Sequence, residues 1–183
     1  MNTDFTLIAE VKTSSPFGWQ SSHSWEQLFK LAAAHGDIIS VHTDPRWGGS
    51  FDLVRRACQQ TRKPVLAKGI HASDDDIVHA LEAGASWVLV VGRIPAIHQD
   101  KCLIEPDDLA QLHSLPPGTK AVWNSRDLVT GGFKAESFQQ ARAVWTGWLC
   151  QASNLHSIHD VHADADAALV GSELPAFVRT LAK

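Results

Sequence analysis

The sequence predicts an α/β fold in which eight parallel strands close into a trimmed (β/α)8 TIM barrel. Eight short apolar runs are bounded by turn-forming residues, and helical patterns lie between most of them. The runs are continuously apolar rather than alternating, which is typical of strands covered on both faces. Strands that alternate with helices form parallel βαβ units. A doubly wound open sheet shares this rhythm and is the alternative fold, whereas eight repeats favour the barrel.

The predicted strands follow one another at intervals that leave room for a crossover between most of them. In chain order they are Leu7–Val11, Ile38–Val41, Pro64–Ala67, Trp87–Val91, Cys102–Ile104, Ala121–Trp123, Trp148–Cys150 and Ala167–Val170. Four helices are predicted from apolar residues that recur every three or four positions. They are Trp25–Ala34, Ser73–Ala83, Ser137–Val144 and Leu174–Leu181. Ser24 is a predicted N-cap, and Pro175 stands near the start of the last helix, where proline is tolerated.

The barrel is predicted to be trimmed at two places. A barrel of this type has about 250 residues and seldom fewer than about 200, whereas this chain has 183. The linker GRIPAIHQDK, residues 92–101, contains a proline and no helical stripe, so the helix after the fourth strand is missing or rudimentary. The first strand begins almost at the first residue, so no N-terminal extension is expected. A missing helix could expose an apolar flank, which makes oligomerisation possible.

Composition favours one domain, residues 1–183, and argues against several functional classes. The net charge of −4 gives no basic excess that would attract nucleic acid or an anionic membrane. No apolar run approaches the roughly 18 residues of a membrane span. Neither an H-x-x-x-H pair nor a C-x-x-C pair occurs, so these spacings give no support for a metal site. The absence of a signal-peptide pattern, and three widely spaced cysteines, favour a cytoplasmic protein with reduced thiols.

Polar residues follow most of the predicted strands. Function in such barrels lies at the C-terminal ends of the strands. Glu10 and Lys12 lie two residues apart on the first strand and so share a face, close enough to pair. The others are Lys68, Glu105, Asn124, Arg126, Ser153, Asn154, Gly171 and Ser172. Two lysines and two carboxylates at one barrel mouth predict a proton-transfer site. The Gly171-Ser172 turn, before the last helix, predicts a phosphate cradle. Taken singly, each residue could instead be a solvated charge or a surface ion pair.

These segments resemble the indole-3-glycerol phosphate synthase family along nearly the whole chain. LIAEVKTSSP is similar to that family's first-strand motif AEIKxxSPS, ISVHTDPRWGGS to ISVLTDxxxFGGS, and PVLAKGI to PVLRKDF. LIEPDDL resembles LVEVHDxxEL, WNSRDL resembles INNRDL, and AALVGSEL resembles AVLVGTSL, while CQASNL stands where SESGI is expected. The resemblance implies a carbon–carbon lyase of tryptophan biosynthesis that acts on a small phosphorylated substrate and needs no metal or organic cofactor.

The resemblance also implies a role for each matched residue. It assigns catalysis to Glu10, Lys12, Lys68, Glu105 and Asn124, with Lys68 as general acid. Ser15, Trp47 and Arg126 are expected to bind substrate, although Trp47 could instead be core cover and Arg126 a structural partner of Glu10 or Glu105. Ser153, Asn154, Gly171 and Ser172 are expected to bind phosphate.

Several residues depart from the family pattern and keep two other functions open. They are Phe17, His42, Gly69, Ile70, Ala152 and Asn154. One alternative is a sister barrel enzyme acting on a related phosphorylated or indolic substrate, because fold does not fix substrate. The other is a non-catalytic binding or regulatory barrel, against which the retention of five polar groups at strand ends argues.

Overall fold

A computed structural model describes residues 5–181 and shows a closed barrel of eight parallel strands. The strands are β1 (Thr6–Val11), β2 (Ile38–His42), β3 (Val65–Lys68), β4 (Trp87–Val91), β5 (Cys102–Glu105), β6 (Lys120–Asn124), β7 (Leu149–Ala152) and β8 (Ala167–Val170). Each strand pairs in parallel with the next, and β8 pairs with β1 to close the barrel. The predicted barrel is confirmed, and the open-sheet alternative is wrong.

Two apolar layers explain why the strand sequences are continuously apolar. One layer fills the barrel interior and includes Ile8, Leu66 and Leu89. The other lies between the strands and the surrounding helices and includes Ala9, Val41 and other residues that alternate with the first set. Successive side chains of a strand point to opposite faces, so each strand must supply both layers.

Six α-helices surround the strands. They are α1 (Trp25–His35), α2 (Phe51–Gln60), α3 (Asp74–Glu82), α4 (Leu109–His113), α5 (Phe138–Val144) and α6 (Leu174–Val178). Ser24, Ser73 and Ser137 each accept a hydrogen bond from a backbone N–H of the first turn and so fix where α1, α3 and α5 begin. The predicted end of the last helix at Leu181 is wrong, because α6 ends at Val178. Within residues 5–181, no helix is long and apolar enough to cross a membrane.

The crossover after β4 has no α-helix, as the sequence predicts, and a side-chain network holds it instead. Residues 92–101 contain one short 3-10 turn, Gln99–Lys101. The Arg93 guanidinium donates to the carbonyl oxygen of His71 at 3.0 and 2.9 Å and lies 2.6 Å from Oδ1 of Asp74. Val88 and Val90 of β4 are fully buried. The apolar flank that motivates oligomerisation is therefore not exposed at β4, and oligomerisation stays a prediction.

Candidate active site

The C-terminal ends of the strands surround a polar cavity of about 80 Å³. Its lining contains ten of the twelve predicted site residues, namely Glu10, Lys12, Trp47, Lys68, Asn124, Arg126, Ser153, Asn154, Gly171 and Ser172. Glu105 lines an adjoining, more apolar cavity of about 30 Å³, together with Ile70, Leu89 and Val91. Ser15 lines a side cavity that also contacts Lys12, Arg126 and Ser172. The barrel therefore brings all the predicted residues to one mouth.

Glu10 is the buried centre of the polar cavity, and its partners differ from the predicted one. Its Oε1 atom lies 2.6 Å from Nε2 of His42 and 3.1 Å from Nζ of Lys68. The predicted pairing with Lys12 is wrong. Lys12 lies one residue beyond the end of β1, and its ammonium donates to Oγ of Ser172 at 3.0 Å. In the register of β2 and β3, His42 and Lys68 stand opposite each other, which brings both to the same carboxylate oxygen.

Burial and charge act against each other on Glu10 and His42. Burial alone would raise the pKa of Glu10, but Lys68, His42 and Lys12 together outweigh it and hold that pKa well below its ordinary value. Burial lowers the pKa of His42, and Lys68 and Lys12 lower it further against the opposing effect of Glu10. At neutral pH, Glu10 is therefore an anion and His42 is a neutral imidazole.

Lys12 is an ammonium that can lose its proton near neutral pH. Burial, with Lys68 and Arg126 nearby, lowers the pKa of Lys12 to about 8, although Glu10 opposes the shift. The ammonium also lies 5.2 Å from the centre of the Trp19 ring, over its face. Such a lysine can bind an anion or exchange a proton over a narrow range of pH.

Glu105 has the opposite behaviour from Glu10, which separates the two carboxylates by role. Burial raises the pKa of Glu105, although Lys68, the hydrogen bond from Asn124 and Lys134 act against that rise. Nδ2 of Asn124 donates to Oε1 of Glu105 at 2.9 Å. Two carboxylates whose pKa values are pushed apart are typical of an acid–base site. Of the two carboxylates, Glu105 is therefore the better suited to take up and release a proton.

Both the oxygen and the nitrogen of the Asn124 side-chain amide make hydrogen bonds. Its Oδ1 atom accepts from the hydroxyl of Ser153 at 2.7 Å and from the backbone N–H of Arg126 at 3.0 Å, while its Nδ2 donates to Glu105. The side chain therefore fixes the orientation of Glu105 and of the Ser153 hydroxyl. The role in holding substrate hydroxyls, implied by the family resemblance, has only the remaining N–H of this amide available.

Arg126 points a charge at the cavity without a carboxylate partner in the described part of the chain. Its guanidinium donates to the carbonyl oxygen of Gly131 at 2.8 Å and to Oδ1 of Asn154 at 3.4 Å. The expectation that Arg126 pairs with Glu10 or Glu105 is therefore wrong. The loop after β6 bends back so that the carbonyl oxygen of Gly131 holds the guanidinium. An unneutralised guanidinium at a cavity wall attracts anions.

The loop after β7 carries backbone strain at the cavity wall. Ser153 and Asn154 have φ values of 68° and 57°, in the left-handed region that side chains other than glycine disfavour. Such positions cost on the order of 1 kcal/mol or more each and cluster at functional sites. Hydrogen bonds from Ser153 to Asn124 and from Asn154 to Ser125 hold the loop in this conformation.

Three features of the predicted phosphate side of the cavity make it less favourable for an anion. A Cβ atom on Gly171 would lie 2.2 Å from Oε2 of Glu10, so the glycine leaves the space that this carboxylate occupies. The helix that follows, α6, has only five residues, so its N-terminal dipole is small. Glu173 also lines the cavity, and its Oε2 atom lies 3.6 Å from Nδ1 of His156. The phosphate role of Gly171 and Ser172 stays a prediction.

Trp47 is both a cavity wall and part of the packing around His42. It ends a 3-10 turn, Pro45–Trp47, and its ring stacks on His42 with centroids 5.3 Å apart and planes 2° apart. A Cβ atom on Gly49 would lie 2.1 Å from the carbonyl oxygen of His42, so only glycine lets this turn pack against β2. Trp47 lines both the polar and the apolar cavity, where it can contact a planar ring.

His42 is a site residue that sequence reasoning recorded only as a departure from the family pattern. It is the last residue of β2 and stands opposite Lys68. The rule that singled out the other polar residues at strand ends also applies to it, but the predicted strand stopped at Val41. The sequence signal was therefore present, one residue beyond the predicted boundary.

Comparison with known proteins gives the same family as the motifs. The family model described as indole-3-glycerol phosphate synthase matches residues 1–109, which contain Glu10, Lys12, Lys68 and Glu105. An indole-3-glycerol phosphate synthase of Thermococcus kodakarensis is 38% identical over 92 residues, which are 48% of this chain and 40% of that protein. One of Staphylococcus haemolyticus is 35% identical over 96 residues, which cover 51% of this chain and 37% of that protein.

A third relative extends the aligned segment further along the chain. The indole-3-glycerol phosphate synthase of Pyrococcus furiosus is 36% identical over 115 residues, which are 60% of this chain and 48% of that protein. The chain therefore covers less than half the length of each of these three curated relatives.

Proposed function

The chain belongs to the indole-3-glycerol phosphate synthase family, and from this we propose that it catalyses the ring closure for which the family is named. The substrate would be 1-(o-carboxyphenylamino)-1-deoxyribulose 5-phosphate. A carbon–carbon bond forms between the aromatic ring and the ketone carbon. Loss of CO₂ and of one water then gives indole-3-glycerol phosphate. Atoms balance without an oxidant, a reductant or a second substrate.

The observation that carries the proposal is the placement of Lys68 between two carboxylates of opposite character. Lys68 lines both cavities, lies 3.1 Å from Glu10 and acts electrostatically on Glu105. A proton donor, a permanent anion and a carboxylate with a raised pKa in one mouth are the groups that a condensation followed by dehydration requires.

The proposed proton transfers follow from this placement. The Lys68 ammonium protonates the ketone oxygen as the new bond forms, and Glu10 stabilises that ammonium until it gives up its proton. Decarboxylation then restores electrons to the ring and needs no proton donor. Glu105 gives a proton to the hydroxyl, which departs as water, and takes up the proton that the ring-closed intermediate loses, while Asn124 keeps its carboxylate oriented.

The proposed binding of substrate uses the contrast between the two cavities. The apolar cavity, walled by Trp47, Ile70 and Leu89, suits the aromatic ring. The polar cavity places Lys12 and Arg126, two cations that no carboxylate neutralises by an ion pair in the described residues, where the substrate carboxylate and phosphate can bind. Ser15, Ser153, Asn154, Gly171 and Ser172 are the proposed remaining anion contacts.

A sister enzyme of the same scaffold is the second candidate, and one observation favours it. Glu173 places a carboxylate in the lining of the cavity where the phosphate is expected. This charge repels a phosphate dianion and favours a substrate with a smaller negative charge, or with a hydroxyl or amine at that end.

The deciding experiment supplies the ribulose phosphate and follows indole fluorescence for the native chain and for Lys68→Met. General acid catalysis contributes roughly 10²- to 10⁴-fold, so Lys68→Met should lose at least about a hundredfold in kcat. Lys30→Met, an exposed lysine on α1, is the matched control and should keep native turnover.

The outcomes separate the candidate functions. Native turnover that depends on Lys68 supports the proposal. No turnover, with substrate binding measured by calorimetry, rejects it in favour of the sister enzyme. If neither turnover nor binding is detected, the non-catalytic barrel is the remaining candidate. Retention of the lysines would then need another reason.

A further inference from the structure

We propose that His42 is a positioning residue for the Lys68 ammonium, because it shares Oε1 of Glu10 with that ammonium and prevents a tight Lys68–Glu10 pair. This inference rests on the proposed function, in which Lys68 must release a proton to the substrate. A lysine held in a close, exclusive ion pair is a poorer acid and moves less freely than one that shares its partner.

The two contacts to the shared oxygen are unequal in the way this inference requires. Nε2 of His42 lies 2.6 Å from Oε1 of Glu10, whereas Nζ of Lys68 lies 3.1 Å from the same atom. Charge-assisted N–H···O contacts are usually about 2.7–2.9 Å. The lysine contact is therefore longer than usual and the histidine contact shorter.

Nε2 of His42 lies 2.6 Å from Oε1 of Glu10, although neither nitrogen of this ring makes a hydrogen bond of good geometry. Two lone pairs at 2.6 Å would repel, so the neutral ring must carry its proton on Nε2. Nδ1 is then an acceptor with no hydrogen-bond partner, and leaving a buried group unpaired costs about 1–3 kcal/mol. An apolar residue at this position would avoid that cost.

The surroundings hold His42 in this neutral, donating state. The charged groups that act on it are Glu10 and Lys12 from β1 and its flank, and Lys68 from β3. The Trp47 ring covers one face of the His42 ring, and the His42 side chain is only 5% exposed. With water excluded and two cations near, the ring stays neutral, so its close contact with Glu10 adds no second positive charge beside Lys68.

The test compares His42→Leu, which removes the donor, with His42→Gln, whose amide can donate from about the same place. The NMR signal of reductively ¹³C-methylated Lys68, assigned by its loss in Lys68→Arg, reports on the surroundings of this lysine at pH 7. His42→Leu should move that signal. The same variant should lower kcat about tenfold with little change in KM. His42→Gln should restore both readouts.

A buried histidine outside the cavity gives the control. His71→Asn removes an equally buried ring at a left-handed position that asparagine tolerates, and it should leave the Lys68 signal unchanged. An unchanged signal in His42→Leu, or the same change in His42→Gln, would show that His42 only packs and would overturn the inference. A changed signal in a chain that does not turn over the ribulose phosphate would uphold the shared contact and reject the proposed function instead.

Discussion

Glu10 is the residue through which the ends of β1, β2 and β3 meet. It is 2% exposed, and one of its oxygens contacts both His42 and Lys68. A buried ion pair adds little net stability, because desolvation offsets the attraction, but removing one partner leaves an uncompensated charge and costs about 3–5 kcal/mol. The arrangement therefore fixes positions more than it stabilises the fold, which suits a site that must hold an acid at a defined place.

The pKa of Lys12 gives a prediction for the pH dependence of activity. Because burial and the neighbouring cations lower that pKa to about 8, Lys12 loses its charge above this pH in the free enzyme. We expect kcat/KM, which reports the free enzyme, to fall as pH rises through about 8. Lys12→Met should reduce kcat/KM at pH 7 by about tenfold or more, the equivalent of one charge-assisted hydrogen bond, and should remove this limb.

Lys12→Arg is the matched variant, because arginine stays charged at every pH of the assay. In Lys12→Arg the fall in kcat/KM should occur at higher pH, while activity at pH 7 is retained in part. A limb near pH 8 that survives in Lys12→Met would assign the titration to another group.

At the residue scale, the sequence could locate the candidate site residues but could not show which side chains they contact. Glu10, Lys68 and Glu105 were predictable because strand ends and the family motifs locate them. Which cation pairs with Glu10 depends on the register of β2 against β3 and on where β1 ends, and neither follows from spacing along one strand. His42 fell outside its predicted strand by one residue, so its place beside Lys68 was missed.

The helices differ in how clearly the sequence predicts them. α1, α3 and α5 carry serine caps and were predicted to within a few residues. α2 was not predicted, because it is rich in charged and polar residues and buries only Val54 and Ala57 fully. Its Ser50 cap was the available signal. α6 ends early because the chain turns after Val178, where Thr180 donates back to the carbonyl oxygen of Phe177.

The segment after β4 gives a prediction at the element scale, because Arg93 holds it in place of a helix. Arg93→Met removes two hydrogen bonds to the carbonyl oxygen of His71 and an ion pair with Asp74 whose side chains are 26% and 29% exposed. Hydrogen bonds to charged groups contribute about 1.5–3 kcal/mol. We expect a loss of about 2 kcal/mol, discounted for partial exposure, measured by urea unfolding.

Arg55→Met is the control for that substitution. Arg55 pairs with Asp52 within α2, where both side chains are at least half exposed, and such pairs contribute little. It should unfold within about 0.5 kcal/mol of the native chain. Equal losses in the two variants would mean that the Arg93 network does not hold the segment.

For the whole molecule, the sequence was sufficient to predict the barrel but not the side-chain contacts at its C-terminal end. The eight apolar runs, each of which must serve both the interior and the outer layer, leave few arrangements other than a closed parallel barrel. The mouth is different, because its residues come from loops whose paths depend on local bonds, such as that from Arg126 to Gly131. The positive φ values at Ser153 and Asn154 have no sequence signal comparable with glycine.

The charge on Glu10 links the site to the stability of the barrel as a whole. Because its cationic neighbours hold the pKa of Glu10 far below its ordinary value of 4.5, its contribution is present above about pH 4.5 and is lost as pH falls through the folded-state pKa. Glu10→Gln should therefore unfold about 3–5 kcal/mol more easily than the native chain at pH 7. That difference should shrink steadily in urea unfolding as the pH is lowered from 4.5 towards 2. Glu82→Gln, an exposed carboxylate at the end of α3, should follow the native chain throughout. A difference for Glu10→Gln that stays constant down to pH 2 would assign its cost to packing rather than to charge.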